Sequence, residues 1–187
     1  MKIFATAFLG ASLGTAVWAD PLTLTPADPQ PTDVKAGLAV SYAAGAGGRT
    51  LKEAEAKLRR AKPGDPLVGL SYLDSDPGDT TLTSTEKEKV AAAISGFIKF
   101  DAAGTYQVDF LSNDGLKATI GGQEVAFFDG VHGCEPAGVK EVIVPSAGWY
   151  ALEATYFQRK GSACLMMDWN VGGEMEPVPD AAFGYTD

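Results

Sequence analysis

The chain has 187 residues and a formal net charge of −9, with 24 acidic residues against 15 basic ones. That length suits one domain with a sizeable core. An acidic surface repels phosphate backbones and anionic lipid, which argues against nucleic acid as a partner and against membrane binding through a basic face; otherwise the charge serves solubility.

Residues 1–19 carry Lys2, an apolar run from Ile3 to Val17, and Val17-Trp18-Ala19 immediately before Asp20. This pattern predicts a secretory signal peptide cut after Ala19. A retained anchor is the rival reading, but the run is shorter than the ~20 residues a bilayer needs and has no basic stop-transfer flank. The mature chain is therefore expected to be exported, periplasmic or extracellular, with no membrane insertion. Residues 20–36 open with the proline-rich PLTLTPADPQP and lack apolar periodicity, the composition of an extended linker. The folded domain is expected over residues 37–187.

Leu38, Val40 and Tyr42 alternate as a first strand, ended by Gly45, Gly47 and Gly48. Thr50-Leu51-Lys52-Glu53 fits a capping box at the start of a short helix. Leu51, Ala54 and Leu58 share one face of it, Arg59, Arg60 and Lys62 suit the negative end of its dipole, and Pro63-Gly64 stops it. Residues 85–100 conflict: alanine and the Glu/Lys run favour helix, whereas Phe97, Ile98 and Phe100 beside Gly96 favour strand. Residues 105–128 alternate apolar and polar through three segments and read as a β-meander. Tyr106, Val108 and Phe110 form one apolar set, Leu116, Ala118 and Ile120 a second, and Val125 with Phe127 a third. Asn113-Asp114-Gly115 and Gly121-Gly122 read as the tight hairpin turns between them.

Beyond the meander, residues 129–138 form a loop, and residues 139–144 a strand. Residues 149–157 form another, with Tyr150, Leu152, Ala154 and Tyr156 on one face, and residues 164–169 a last one with Leu165, Met167 and Trp169 together. The two cysteines, Cys134 and Cys164, would meet an oxidising compartment, and an even pair there favours a disulfide over two separate buried thiols. Such a bridge stabilises by about 3–4 kcal/mol in the chain-entropy model.

Several of these segments, in order, resemble one family. A strand ends in Ser112-Asn113-Asp114-Gly115 and is followed by a short strand and a glycine turn. Gly96-Phe97-Ile98 precedes Ala103-Gly104-Thr105-Tyr106. Ala147-Gly148-Trp149-Tyr150 is followed by Tyr156, by an apolar strand bearing Trp169, and by Val178-Pro179. Over about residues 37–185 the chain is similar to the protective-antigen domain family, a β-sandwich found in lectins, adhesins and glycosidases. The resemblance implies a mainly β fold, an antiparallel β-sandwich with one short N-terminal helix, and a strand from about Ala92; otherwise a helix spans residues 86–94 and the class shifts to α+β. Lectin members hold calcium with two consecutive aspartates, often joined by a cis peptide, at the turn corresponding to Asn113 and Asp114. Here an asparagine, whose carbonyl can ligate but carries no charge, replaces the first acid. The alternative is an Asn-Asp-Gly turn selected for geometry alone.

The candidate ligand-binding residues are Asn113, Asp114, Phe128, Asp129 and His132, in loops at one end of the sandwich, with Asn113 and Asp114 as the candidate calcium pair. Flat aromatic rings complement sugar faces, and Phe128, at a loop end, suits exposed contact better than the mid-strand aromatics. No catalytic set stands out. The Gly-x-Ser-x-Gly match at residues 10–14 falls inside the leader, and His132 is the sole histidine with no serine in a supporting motif. Cys134 lies two residues from His132 and is better explained as oxidised. Asp129, His132 and Cys134 lack the usual Cys-x-x-Cys spacing of a zinc site. The expectation is an exported, non-catalytic binding module that recognises carbohydrate or cell-envelope glycan. A structural or interaction module with an envelope protein as partner is the alternative.

Overall fold

The computed structural model describes residues 20–45, 48–170 and 172–187. The leader assigned to residues 1–19 lies outside them. In chain order the elements begin with β1 (Leu22–Thr23), β2 (Lys35–Ala36), β3 (Ala39–Ala43), α1 (Leu51–Leu58), β4 (Lys62–Pro63) and β5 (Ser71–Tyr72). The long central strands follow: β6 (Val90–Phe100), β7 (Gly104–Asn113), β8 (Leu116–Ile120) and β9 (Gln123–Phe128). The chain closes with β10 (Glu135–Pro136), β11 (Lys140–Val144), β12 (Gly148–Gln158), β13 (Cys164–Asn170), β14 (Glu176–Pro177) and β15 (Phe183–Tyr185).

These strands form two sheets. One runs β1-β11-β7-β13-β14, with β10 on β7 and β5 on β13; the other runs β2-β15-β6-β12-β8-β9, with β3 on β6 and β4 on β3. Pairing is antiparallel except for β1, which lies parallel to β11. The alternation read from sequence decides which residues meet between the sheets. Val108, Phe110, Val142, Leu165 and Met167 from the first sheet join Ile94, Ile98, Leu116, Ala118, Leu152 and Tyr156 from the second in one buried cluster. Phe100 is packed edge-on against Tyr106 and Tyr150.

Helix α1 forms where its caps allow. Thr50 accepts the Glu53 amide at its Oγ1 (3.3 Å), and Glu53 reaches back to accept the Arg49 amide (2.6 Å), one residue beyond the usual capping-box partner. The helix lies on the outer face of the second sheet, where Leu51 and Ala54 pack on Ala43, Ala91 and Phe157. The alanines of residues 91–93 thus serve a strand. Ala92 faces the core and Ala91 lies under the helix, so both must be small.

Three expectations are corrected. Residues 20–36 are not a free tether: β1 pairs with Val142 and Ile143, the Leu24 amide donates to the Ile143 carbonyl (2.9 Å), and the Leu24 side chain is 1% exposed. The domain therefore includes residues before Gly37. Nor do residues 105–128 form one meander. β7 pairs with β11 and β13, whereas β8 pairs with β12 and β9, so Asn113-Asp114-Gly115 carries the chain from one sheet to the other. Gly115 is small for space: a Cβ there would meet a Phe157 ring carbon at 2.2 Å, and its φ is not positive. The Gly121-Gly122 hairpin stands as expected, with φ of +52° and +79°. Finally, Phe127 points outward and is 53% exposed, because the β8–β9 register shifts at Ala118 and Thr119 and turns Val125 and Ala126 inward instead.

Candidate functional site

The turn between β7 and β8 sits where two further loops approach: residues 129–134 after β9, and residues 159–163 between β12 and β13. Their junction is Asp114. Its Oδ1 accepts the His132 amide (3.2 Å) and its Oδ2 the Arg159 amide (2.6 Å). Its own amide donates to the Phe157 carbonyl (3.0 Å), and the Phe157 amide donates to the Gly115 carbonyl (2.9 Å). Ser112 donates its hydroxyl to the Asp114 carbonyl (2.7 Å), while Tyr156 donates its hydroxyl to the Asn113 carbonyl (2.5 Å). The Asn113–Asp114 peptide is cis. Asp114 is 2% exposed, and burial raises its pKa above the usual carboxylate range although the two amides oppose the shift.

Asn113, 6% exposed, donates from Nδ2 to the Ser162 hydroxyl (3.0 Å). Gln158 then stiffens the same loop. Its Nε2 donates to the Gly161 (3.3 Å) and Ser162 (3.2 Å) carbonyls, and its Oε1 accepts the Lys89 amide (3.1 Å). The Cys134–Cys164 disulfide, with Cα atoms 5.9 Å apart, ties the His132 loop to the first residue of β13. That bridge leaves no thiolate for zinc, either with Asp129 and His132 or with the neighbouring Asp74.

Of the residues singled out from sequence, Asn113, Asp114 and His132 come together, and Phe128 joins them by packing on the His132 ring with centroids 3.7 Å apart. Asp129 turns away, accepting the Leu51 amide at the start of α1 (2.6 Å). Its role here is a cap supplied from another loop. Tyr156, Gln158 and Ser162 were missed. Tyr156 reads as a core aromatic, and only its hydroxyl marks it as a buried donor that needs a partner.

A calcium ion takes six to eight oxygen ligands and favours charged ones. The residues present do not fit it. Asp114 is the one carboxylate at the turn, both of its oxygens already face amide N–H groups, and Asn113 supplies no charge.

His132 is unusual in another way: Nδ1 and Nε2 are both buried with no hydrogen-bond partner among the described residues. An unsatisfied buried polar group costs about 1–3 kcal/mol, whereas an apolar ring of the same shape does not. His132→Phe is therefore expected to raise stability by about 1 kcal/mol, since the new ring can still pack on Phe128. Equilibrium urea unfolding checks this, and a loss of stability would show that the imidazole nitrogens are engaged.

By sequence, the chain matches no protein-family profile and no curated protein. By structure it is similar to the PA14 domain of the MpAFP antifreeze protein, with a TM-score of 0.68 and 16% identity over 86% of this chain and 96% of that one. It is similar also to the PA14 sugar-binding domain of an RTX adhesin, with a TM-score of 0.61 and 20% identity over 81% and 99% of the two chains. A third is the Epithelial Adhesin 6 A domain of Candida glabrata in complex with Galb1-3GlcNAc, with a TM-score of 0.64 and 13% identity over 90% and 94%. At such identities the likeness is one of architecture, and on that ground the fold of this chain is the PA14-like β-sandwich.

Proposed function

We propose that this chain is an exported, non-catalytic binding module that recognises carbohydrate through the loops at the Asn113–Asp114 end of the sandwich, and that it does so without calcium. The observation that carries the reading is the convergence of three loops on one buried carboxylate, which holds their outer residues in fixed positions at small entropic cost on binding. Phe128, half-buried and packed on the His132 ring, then offers an aromatic face beside the polar Ser162 loop. The sugar-binding domains among the structural neighbours support the choice of ligand class. The leader-like residues 1–19 and the disulfide support export. Among the described residues no helix is long and apolar enough to cross a membrane. A non-catalytic role is supported by the oxidised state of Cys134 and by His132 nitrogens that meet no hydrogen-bond partner among the described residues.

A glycan array probed with the purified protein tests the reading. Binding to neutral glycans is expected, unchanged by chelator and weakened several-fold by Phe128→Ala. An array without a single bound glycan would overturn the ligand class, and co-purification with an envelope protein in that case would favour the interaction module. The melting temperature is expected to be the same in calcium and in chelator, and a calcium-dependent rise would refute calcium-free recognition.

A further inference from the structure

The sequence places Lys57, Arg59, Arg60 and Lys62 within six positions of a chain whose net charge is −9. The fold brings all four to the rim of an open groove of about 1080 Å³ between the C-terminal half of α1, the end of β3 and residues 83–86. Two acids, Asp65 and Glu86, also line it, leaving a net charge of +2 where the rest of the chain is strongly negative. The ion pairs among the described residues are Lys35 with Asp187 and Lys99 with Asp101, so none of the four groove cations is spent internally. One or two cations would suffice to complement a helix C-terminus. Four exceed that need.

The remaining wall is polar and small. The Thr83 and Ser84 hydroxyls donate to the Asp65 and Glu86 carbonyls, Thr85 adds a further hydroxyl, and Ala43, Ala44, Ala56 and Gly64 leave room between the cations. Tyr42 shares a hydrogen bond with the Thr83 hydroxyl (2.8 Å) and accepts the Thr83 amide (3.2 Å), which fixes the wall in place. The exposed large apolar side chains, Val68, Leu73, Phe127, Val131, Val139 and Ile143, are all absent from the lining. A concave, polar cationic groove without apolar wedges suits separate charged sugar units better than a lipid surface, which calls for apolar insertion beside the charge. Eight helical residues span about 12 Å. That length separates the groove from the Asp129 contact at the opposite end of α1.

We propose that this groove binds acidic polysaccharide, a glycan chain bearing carboxylate or sulfate groups, as a site separate from the Asn113–Asp114 loops. The cations act as an electrostatic funnel in an otherwise repelling field, so affinity falls as salt rises.

The test uses polygalacturonate, dextran sulfate, neutral dextran and phosphatidylglycerol vesicles as probes, with the native protein, the double variant R59Q/R60Q and the remote control K140Q. Salt-sensitive binding to either acidic polymer is expected, reduced roughly five- to thirtyfold in R59Q/R60Q, as two lost ion contacts of about 0.5–1 kcal/mol each imply. K140Q should bind as the native protein does, and neutral dextran should not compete. Circular dichroism melts confirm that the double variant is folded, which is expected because both arginines are exposed. Equal binding by the native protein and R59Q/R60Q, no binding to either acidic polymer, or binding to the vesicles alone would each overturn the proposal. Neutral-glycan binding sensitive to Phe128→Ala is a different readout, so either site can fail without the other.

Discussion

Reduction of the Cys134–Cys164 bridge is expected to lower the melting temperature by on the order of 10 °C. The bond closes a loop of sequence separation 30. In the chain-entropy account, such a loop restrains the unfolded chain by about 3–4 kcal/mol, and for a domain of this size each kcal/mol moves the midpoint by roughly 2–4 °C. The bridge also has a local task. β10 is only two residues long, and between it and β9 the loop holding His132 is anchored by the Asp114 contact and by Cys134. Reduction should therefore loosen the 129–134 loop before the sheets separate, visible as faster amide exchange at His132 than in β7 or β12. Calorimetry with and without reductant, together with thiol labelling of the denatured protein, is the measurement. Unchanged melting, or two labelled thiols in unreduced protein, would contradict it.

Asp114→Ala is expected to destabilise the fold by about 3 kcal/mol, because it leaves the His132 and Arg159 amides without their charged acceptor, and hydrogen bonds to charged groups are worth about 1.5–3 kcal/mol each without full additivity. Denaturant unfolding reads this directly, and a change under 1 kcal/mol on that roughly 3 kcal/mol scale would show that the carboxylate does not organise the loops. The pH dependence provides a second readout. Burial raises the folded-state pKa of Asp114, and that of Asp109 likewise, above the unfolded value. In the window between the two values the folded chain holds a proton that the unfolded chain has released. Stability therefore rises as the pH falls into that window and is lost as the pH rises through the folded pKa. Asp114→Ala should flatten this slope, leaving the share due to Asp109.

Elements whose signals are local were legible in the residues alone. Alternation in residues 149–157 and 164–169 becomes the buried faces of β12 and β13, since side chains two apart must share a side wherever a strand forms. Thr50 and Glu53 mark the start of α1, and Gly121-Gly122 marks the β8–β9 hairpin, because caps and positive φ angles are satisfied within a few residues. Where each element finds its partner emerged only from the packing of the two sheets. Asn113-Asp114-Gly115 has the composition of a hairpin turn, yet β8 hydrogen-bonds to β12 rather than to β7, a choice set by strands that follow it in the chain. Leu22 and Leu24 are two apolar residues in a proline-rich stretch, too few for a periodic signal, and they are ordered only because β11 offers an open edge and the core a place for Leu24. The same holds at the candidate site. Asp114 and Asp129 read alike from sequence as acidic loop residues, but one is consumed by amides from two other loops and the other by the first turn of a helix 78 positions away. A carboxylate's role depends on which N–H groups approach it, and in this chain those donors come from distant segments brought together by the packing of the two sheets.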